Sequence, residues 1–272
     1  MVSFPNAKIN IGLNITEKRS DNYHNLESIF VPIPIKDILE IVRKKEGESE
    51  LHLSGIAIDG DPNDNLIMKA YHLLQSEYNL PAVDIYLEKN IPFGAGLGGG
   101  SADAAFTLKM LNDEFELHLT TEQLESYAAR LGADCAFFIQ NKPTYATGIG
   151  NIFQPVEVNL DNYFLVLVKP DVHVSTKEAY SLIRPQKTEV SVFEKIQRPI
   201  ETWKEEISND FELSVFPQHP IIAEVKSLLY QKGAVYASMS GSGSSVFGIF
   251  REEVDLQTNF PGMFVFQNRF QF

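Results

Sequence analysis

The chain has 272 residues, 44% hydrophobic and 22% charged, with a formal net charge of −13. That length supports a sizeable core and two sub-domains sharing one cleft, while an acidic balance with no basic tract set against it excludes nonspecific nucleic-acid binding. No run of about 18 apolar residues suggests a membrane span; the single Cys135 excludes an internal disulfide and, with an opening that lacks the layout of a secretory signal, leads us to expect a cytoplasmic protein.

From Ala7 to Ile15 the residues alternate. Ile9, Ile11, Leu13 and Ile15 share one face and Lys8, Asn10, Gly12 and Asn14 the other, the pattern of a half-buried strand. Ser20, Asp21 and Asn22 supply turn chemistry, and Tyr23 and His24 follow on a loop. Such a pair can stack on and hydrogen-bond a planar ring, or simply pack and cap locally. Residues 37–43 and 51–56 read as strands. Asp61–Asn65 reads as a turn capping a helix that runs to about Glu77, and Val83–Lys89 alternates as a strand.

The strand leads into PFGAGLGGGSADAA, Pro92 to Ala105, with five glycines in the seven positions from Gly94 to Gly100. Backbone without Cβ atoms can turn several N–H groups toward one point, and the helix predicted over 101–112 adds its positive end, so this stretch reads as an anion cradle. Thr120 and Thr121 can cap a further helix ending near Leu131-Gly132. Asp134 precedes the apolar run Cys135–Phe138, where it suits a helix N-cap without excluding catalysis. Strands are predicted over 152–158 and 163–169, a short helix bearing Tyr180 over 175–183, and a weaker helical region over 188–209. A helix over 220–231 and a strand over 235–237 precede a second glycine-rich turn, Ser238–Ser245, and the strand Val246–Phe250.

Several phosphate chemistries are separable at this level. Gly100-Ser101 lacks the lysine of a Walker A loop. Gly94, Gly96 and Gly99 match GxGxxG, but Asn90-Ile91-Pro92 intervenes after the strand and no second strand ending in an acid follows at the required distance. No zinc-type Cys/His set and no GxSxG elbow is present. Since the net charge does not steer anions, a phosphate site here relies on local lysines, backbone N–H groups and a divalent cation.

Pro92–Ala105 resembles the second motif of the GHMP small-molecule kinases, Ser238–Ser245 their third, and the opening segment their first. The likeness is carried by Pro5-Asn6-Ala7-Lys8-Ile9-Asn10, Tyr23-His24-Asn25-Leu26, Asp64-Asn65-Leu66-Ile67, Gly96-Leu97-Gly98-Gly99-Gly100-Ser101 and Leu131-Gly132-Ala133-Asp134-Cys135, in that order over nearly the whole chain.

The resemblance implies an α+β, two-domain GHMP kinase fold. Residues 1–155 would form a domain like ribosomal protein S5 domain 2 that carries the ATP-phosphate loop, and residues 156–272 a ferredoxin-like domain, with the cleft between them. It implies transfer of the ATP γ-phosphoryl, with Mg²⁺, to the 2-hydroxyl of a cytidine diphosphate-linked methylerythritol in non-mevalonate isoprenoid synthesis. By position Asp134 would take the hydroxyl proton, with Lys8 beside it. Asn10, Tyr23, His24, Thr176 and Tyr180 would meet the substrate, Tyr23 stacking on the cytosine and His24 hydrogen-bonding it. Pro92, Gly94, Gly96, Leu97, Gly98, Gly99, Gly100 and Ser101 would wrap the ATP phosphates, with Ser101 near Mg²⁺. Asn65 and Lys89 would border the adenosine, and Gly241 and Gly243 would close the far side. The alternatives are a homoserine- or mevalonate-type kinase of the same family, or a nucleotide-binding module without catalysis. No membrane or nucleic-acid partner is expected, and the chain would act as a monomer or homodimer.

Overall fold

The computed structural model describes residues 1–57 and 65–270, so the expected turn over Asp61–Asp64 lies outside the described residues. The chain opens with β1 (Val2–Ser3), β2 (Asn6–Lys18), β3 (His24–Lys36), β4 (Ile38–Arg43) and β5 (Glu50–Gly55). It goes on through α1 (Leu66–Tyr78), β6 (Val83–Lys89), α2 (Gly99–Glu114), α3 (Thr121–Leu131) and α4 (Phe137–Gln140). Next come β7 (Thr144–Thr147), β8 (Ile152–Pro155), β9 (Phe164–Lys169), α5 (Thr176–Tyr180), α6 (Val192–Lys195), α7 (Ile200–Glu206), α8 (Glu212–Gln218) and α9 (Pro220–Gln231). Strands β10 (Tyr236–Met239), β11 (Val246–Phe250) and β12 (Phe264–Arg269) complete an α+β fold. No described helix is long and apolar enough to cross a membrane.

Contacts group the residues into two units that interleave along the chain. The first comprises Met1–Ala7, Ile35–Phe93 and Gly98–Asn141; the second comprises Lys8–Pro34, Gly94–Leu97 and Lys142–Phe272.

The first unit is a sheet with a helical layer. Its strand order is β1-β4-β6-β5, antiparallel except for the β5–β6 pair. Alternation decides which side is covered: Val83, Ile85 and Leu87 of β6 are buried, while Tyr86 between them is exposed. Ala102, Ala104 and Ala105 on α2 are fully buried, and their small side chains let neighbouring helices approach closely. Asn65 caps α1, accepting from the Ile67 N–H at 2.9 Å. Thr120 caps α3 in a reciprocal capping box with Gln123, the two bonds at 3.3 and 2.8 Å. Asp134 is not a cap: α4 begins after Ala136, with no side-chain bond at its N-terminus. Asp134 lies two residues too early, in the turn between α3 and α4.

The second unit contains the sheets β2-β3-β7-β8 and β10-β11-β9-β12, the latter wholly antiparallel. Helix α9 packs on β10 and β11, placing Ile222, Val225 and Leu229, a helical i, i+3, i+7 set, in one core with Ala237, Met239, Val246 and Phe250. Each such aliphatic side chain contributes about 1.5–3 kcal/mol by leaving water.

Several elements differ from the sequence reading. Strand β2 extends to Lys18 and is buried on both faces as far as Asn14, because its polar face is filled with bonded groups. His24 opens β3 and does not lie on a loop. The strand expected over 152–158 stops at Pro155, which has no N–H for the ladder. The helical region over 188–209 is two short helices interrupted before Pro199, which stands at the N-cap of α7 where no helical N–H is needed. Strands β1, β3, β7 and β12 and helix α8 are not among the expected elements.

Candidate active site

In the second unit the two glycine-rich segments meet. Ser240 Oγ donates to the Gly96 carbonyl at 2.9 Å, and the Ser245 N–H donates to the Ala95 carbonyl at 3.3 Å. The turn between β10 and β11 closes on itself where the Ser240 N–H donates to the Ser245 carbonyl at 2.9 Å. At Gly96 φ is +75°, and a Cβ would stand 2.0 Å from the Ser240 carbonyl oxygen, so only glycine fits. Gly94, Gly241 and Gly243 also have positive φ.

Strand β2 brings Lys8 and Asn10 to the same place. The Lys8 N–H donates to the Leu97 carbonyl at 2.9 Å, and the Asn10 N–H donates to Ser240 Oγ at 3.2 Å. Lys8 Nζ donates to Asn10 Oδ1 at 2.7 Å and lies 4.6 Å from the centre of the Phe30 ring. Asn10 Nδ2 donates to Ser28 Oγ at 2.9 Å, which in turn donates to the Gly12 carbonyl at 2.6 Å. Lys8, Asn10 and Ser28 are all buried, so these bonds and the contact with the aromatic face act in a setting of low dielectric.

Asn209 and Ser240 were missed by the sequence reading as structural members of this region. Asn209 Nδ2 donates to the carbonyls of Met239 and Gly241, 2.8 Å each, which fastens the start of the second glycine turn. Beside it, Asp210 Oδ2 accepts from the Ile15 N–H of β2 at 2.7 Å. The sequence signal was a polar Ser208-Asn209-Asp210 group between two helical segments, which looks like an ordinary cap.

The aromatic residues of the same unit lie at the start of β3 and on α5. The His24 and Tyr180 rings stack at 4.8 Å and 23°. Tyr180 also meets Phe211 edge-on, while the Tyr23 side chain is 61% exposed. Burial, aided by the Lys18 charge, lowers the His24 pKa, so its imidazole is neutral at pH 7 and offers one donor and one acceptor. Helix α5, which carries the exposed Thr176, is tied down by Ser214 Oγ donating to the Ala179 carbonyl at about hydrogen-bond contact and by the Glu178–His219 pair at 2.7 Å.

The first unit holds the remaining residues. Gly98 caps α2 in the left-handed region, and the N–H groups of Gly99, Gly100 and Ser101 form the open end of a 16-residue helix. Among the described residues, outside its own helix turn, no atom lies within 4 Å of where a Gly100 Cβ would stand, which leaves this stretch of backbone open toward a ligand. Burial, with the neighbouring Asp134 charge, pushes the Cys135 thiol up to about 11 against a lowering by Ser101. Helices α3 and α4 both pack on α2, and the Asp134 turn joins them. Pro92 is buried at the entry to the loop.

Asn65 uses its side-chain oxygen as the α1 cap. Lys89, expected beside adenosine, instead turns its ammonium into the interior, between Asp37 and Asp103. Among the described residues, His, Asp and Glu ligand atoms converge at Glu50, His52 and Asp84, where Lys44 already pairs with both acids at 2.7 and 3.0 Å.

This arrangement is that of a phosphoryl-transfer protein, and comparison with known proteins gives the family. The family descriptions "GHMP kinases N terminal domain" and "GHMP kinases C terminal" match residues 65–142 and 192–258. The chain belongs to the GHMP kinase family and is an ATP-dependent small-molecule kinase. It is 61% identical over 270 residues to the 4-diphosphocytidyl-2-C-methyl-D-erythritol kinase of Bacteroides fragilis, covering 98% of each chain. To the enzyme of that name from Porphyromonas gingivalis it is 45% identical over 258 residues, 94% of each. A crystal structure of a 4-(cytidine 5'-diphospho)-2C-methyl-D-erythritol kinase matches with a TM-score of 0.79 at 31% identity, over 92% of this chain and 90% of that one. The Methanococcus jannaschii mevalonate kinase matches with a TM-score of 0.74 at 14% identity, over 100% and 98%, a likeness of fold alone.

Proposed function

We propose that the chain transfers the γ-phosphoryl group of ATP to the 2-hydroxyl of 4-diphosphocytidyl-2-C-methyl-D-erythritol, a step of non-mevalonate isoprenoid synthesis. The observation that carries the acceptor is the neutral His24 imidazole stacked on Tyr180, next to the exposed Tyr23. This is a hydrogen-bonding and stacking pair suited to a pyrimidine, in the unit that also holds Lys8, Asn10 and the second glycine turn. The full-length relatives bearing that acceptor's name support the same reading.

In this reading Asp134 accepts the proton of the acceptor hydroxyl, and Lys8 stabilises charge on the group in transfer. Asn10, Tyr23, His24, Thr176 and Tyr180 bind the acceptor. The phosphates of ATP lie on the glycine segments, Pro92 through Ser101 together with Gly241 and Gly243, and Asn65 borders the adenosine. Phosphoryl transfer has a loose transition state, so positioned backbone donors and charges do most of the work. Mg²⁺ suits the Ser101 hydroxyl, an oxygen donor of the kind the ion takes alongside substrate phosphates and water. It would supply the positive charge that a chain of net charge −13 lacks. The division at residue 155 fits with the two family matches, one falling on each side of it. The same reading has the enzyme in the cytoplasm, as a monomer or homodimer.

The test is ADP formation with ATP and Mg²⁺ across an acceptor panel of 4-diphosphocytidyl-2-C-methyl-D-erythritol, homoserine and mevalonate. Turnover is expected with the first; turnover with either of the others in its place overturns the assignment. Asp134→Asn is expected to lower kcat by roughly 10²–10⁴, the range for a general base, with ATP affinity kept. A near-normal kcat in that variant removes Asp134 from the chemistry.

A further inference from the structure

Lys89, the last residue of β6, is 2% exposed, and Asp37 and Asp103 are 0% and 2% exposed. Its Nζ donates to Asp37 Oδ2 at very close range and to Asp103 Oδ2 at 3.1 Å. The other oxygen of Asp37 accepts from the N–H groups of Asn90 and Ile91 at 2.6 and 2.8 Å, the two residues with which the chain leaves the strand. Asp103 lies in the early turns of α2. One ammonium therefore joins the end of β6, the residue preceding β4 and the start of the phosphate-facing helix.

The same ammonium lies directly under Gly99. A Cβ on that residue would stand 2.8 Å from Lys89 Nζ and 2.9 Å from Ile91 Cγ2. Gly99 is thus bare on account of the interior, in contrast to Gly100, whose Cβ would meet nothing among the described residues. Burial, together with the Asp37 charge, raises Asp103 to about 8 against the pull of Lys89. Asp103 Oδ1 has no hydrogen-bond partner among the described residues, a cost in a dry site that weighs less on a neutral carboxyl than on a charged one.

The geometry points to Lys89 as a positioning residue: clamped by Asp37 and Asp103, it props the Gly98–Ser101 backbone from beneath in its phosphate-binding shape and acts on ATP without touching it. The idea rests on the kinase reading only through ATP. A displacement of order 1 Å in such a loop weakens the bound state or the rate by as much as about 10²-fold.

The test compares Lys89→Met, Asp37→Asn and Asp103→Asn with the wild type. MgATP affinity is measured by calorimetric titration without acceptor, KM is measured separately for ATP and acceptor, and a thermal melt monitors folding. Lys89→Met is expected to weaken MgATP binding by about ten- to a hundredfold, with the acceptor KM within about twofold. Asp37→Asn keeps an oxygen for the Asn90 and Ile91 N–H groups but loses its charge, and should weaken MgATP in the same direction. The Lys89→Met, Asp37→Asn double variant should be no worse than Lys89→Met alone, since both act through one clamp.

Loss of ATP affinity in Lys89→Met with wild-type affinity in both Asp variants means that Lys89 contacts ATP directly, and overturns the proposal. Lower melting temperatures with unchanged ATP affinity mean a structural role only, and also overturn it. If Lys89→Met does not fold, the Asp37→Asn titration decides. A wild-type chain that binds ATP yet phosphorylates no offered acceptor sinks the acceptor assignment alone; one that binds no ATP sinks both.

Discussion

The glycines of the first loop are bare for different reasons. In the second unit Gly96 is required by protein: its φ is +75°, and the Ser240 carbonyl occupies the place of a side chain. That region is held by neutral hydrogen bonds from Ser240 and Asn209. In the first unit Gly99 is required by a buried ammonium, and Gly100 by nothing in the described structure. That region is held by charge, through Lys89, Asp37 and Asp103. A glycine-rich motif is therefore not one device, and the glycine with the emptiest surroundings is the one whose bareness points to a ligand.

Substitutions can break this contrast. Gly96→Ala should have the largest effect: a left-handed alanine alone costs roughly 1–2 kcal/mol, and the carbonyl clash adds to it, so both turnover and thermal stability should fall. A Gly96→Ala enzyme with normal stability would contradict the contact.

Asn209→Ala leaves two buried carbonyls without their shared donor and should cost about 1–3 kcal/mol by denaturant titration, along with a higher KM for ATP. Gly100→Ala should separate ligand from fold. Alanine in the first helical turn is neutral or stabilising by up to about 1 kcal/mol, while ATP affinity drops. A Gly100→Ala protein that loses stability and keeps ATP affinity would reverse the assignment.

The smallest signal is a slope with pH. Asp103, raised to about 8 in the folded protein, has an unfolded value near 4. Between those values the folded state holds a proton that the unfolded state has released, so this group's contribution to stability is full below about pH 4 and declines as pH rises toward 8. Asp103→Asn has no such proton. Denaturant titrations at pH 5, 6.5 and 8 should therefore show the variant gaining on the wild type as pH rises, and parallel curves would mean that Asp103 is ionised throughout.

What was legible in the sequence was local. The alternation of β6, the glycine loop before α2, the Thr120 cap and the strand Val246–Phe250 rest on neighbours within a few residues, and they stand where the pattern places them. The polar face of β2 also alternates clearly, yet nothing local says that its partners are Ser28 and Ser240 and that the face is therefore dry. Lys89 reads as the polar end of a strand because Asp37 and Asp103 are distant in sequence. Asn209 reads as a cap for the same reason. Strand β12, with the mixed sequence FVFQNR, forms because β9 offers it an open edge, which no pattern within those six residues announces. The catalytic family was legible because five motifs occur in order, whereas the partners that hold those motifs in place lie between them.

The central claim is phosphorylation of the cytidyl acceptor at one hydroxyl. Phosphorus NMR of the product formed by the wild-type chain from ATP, Mg²⁺ and 4-diphosphocytidyl-2-C-methyl-D-erythritol tests it most directly. The account predicts one new phosphomonoester signal, coupled to no backbone methylene proton as a tertiary 2-phosphate requires, with ADP formed in equal amount. A folded protein that binds ATP and leaves the acceptor unchanged, or that phosphorylates a different hydroxyl, would contradict it.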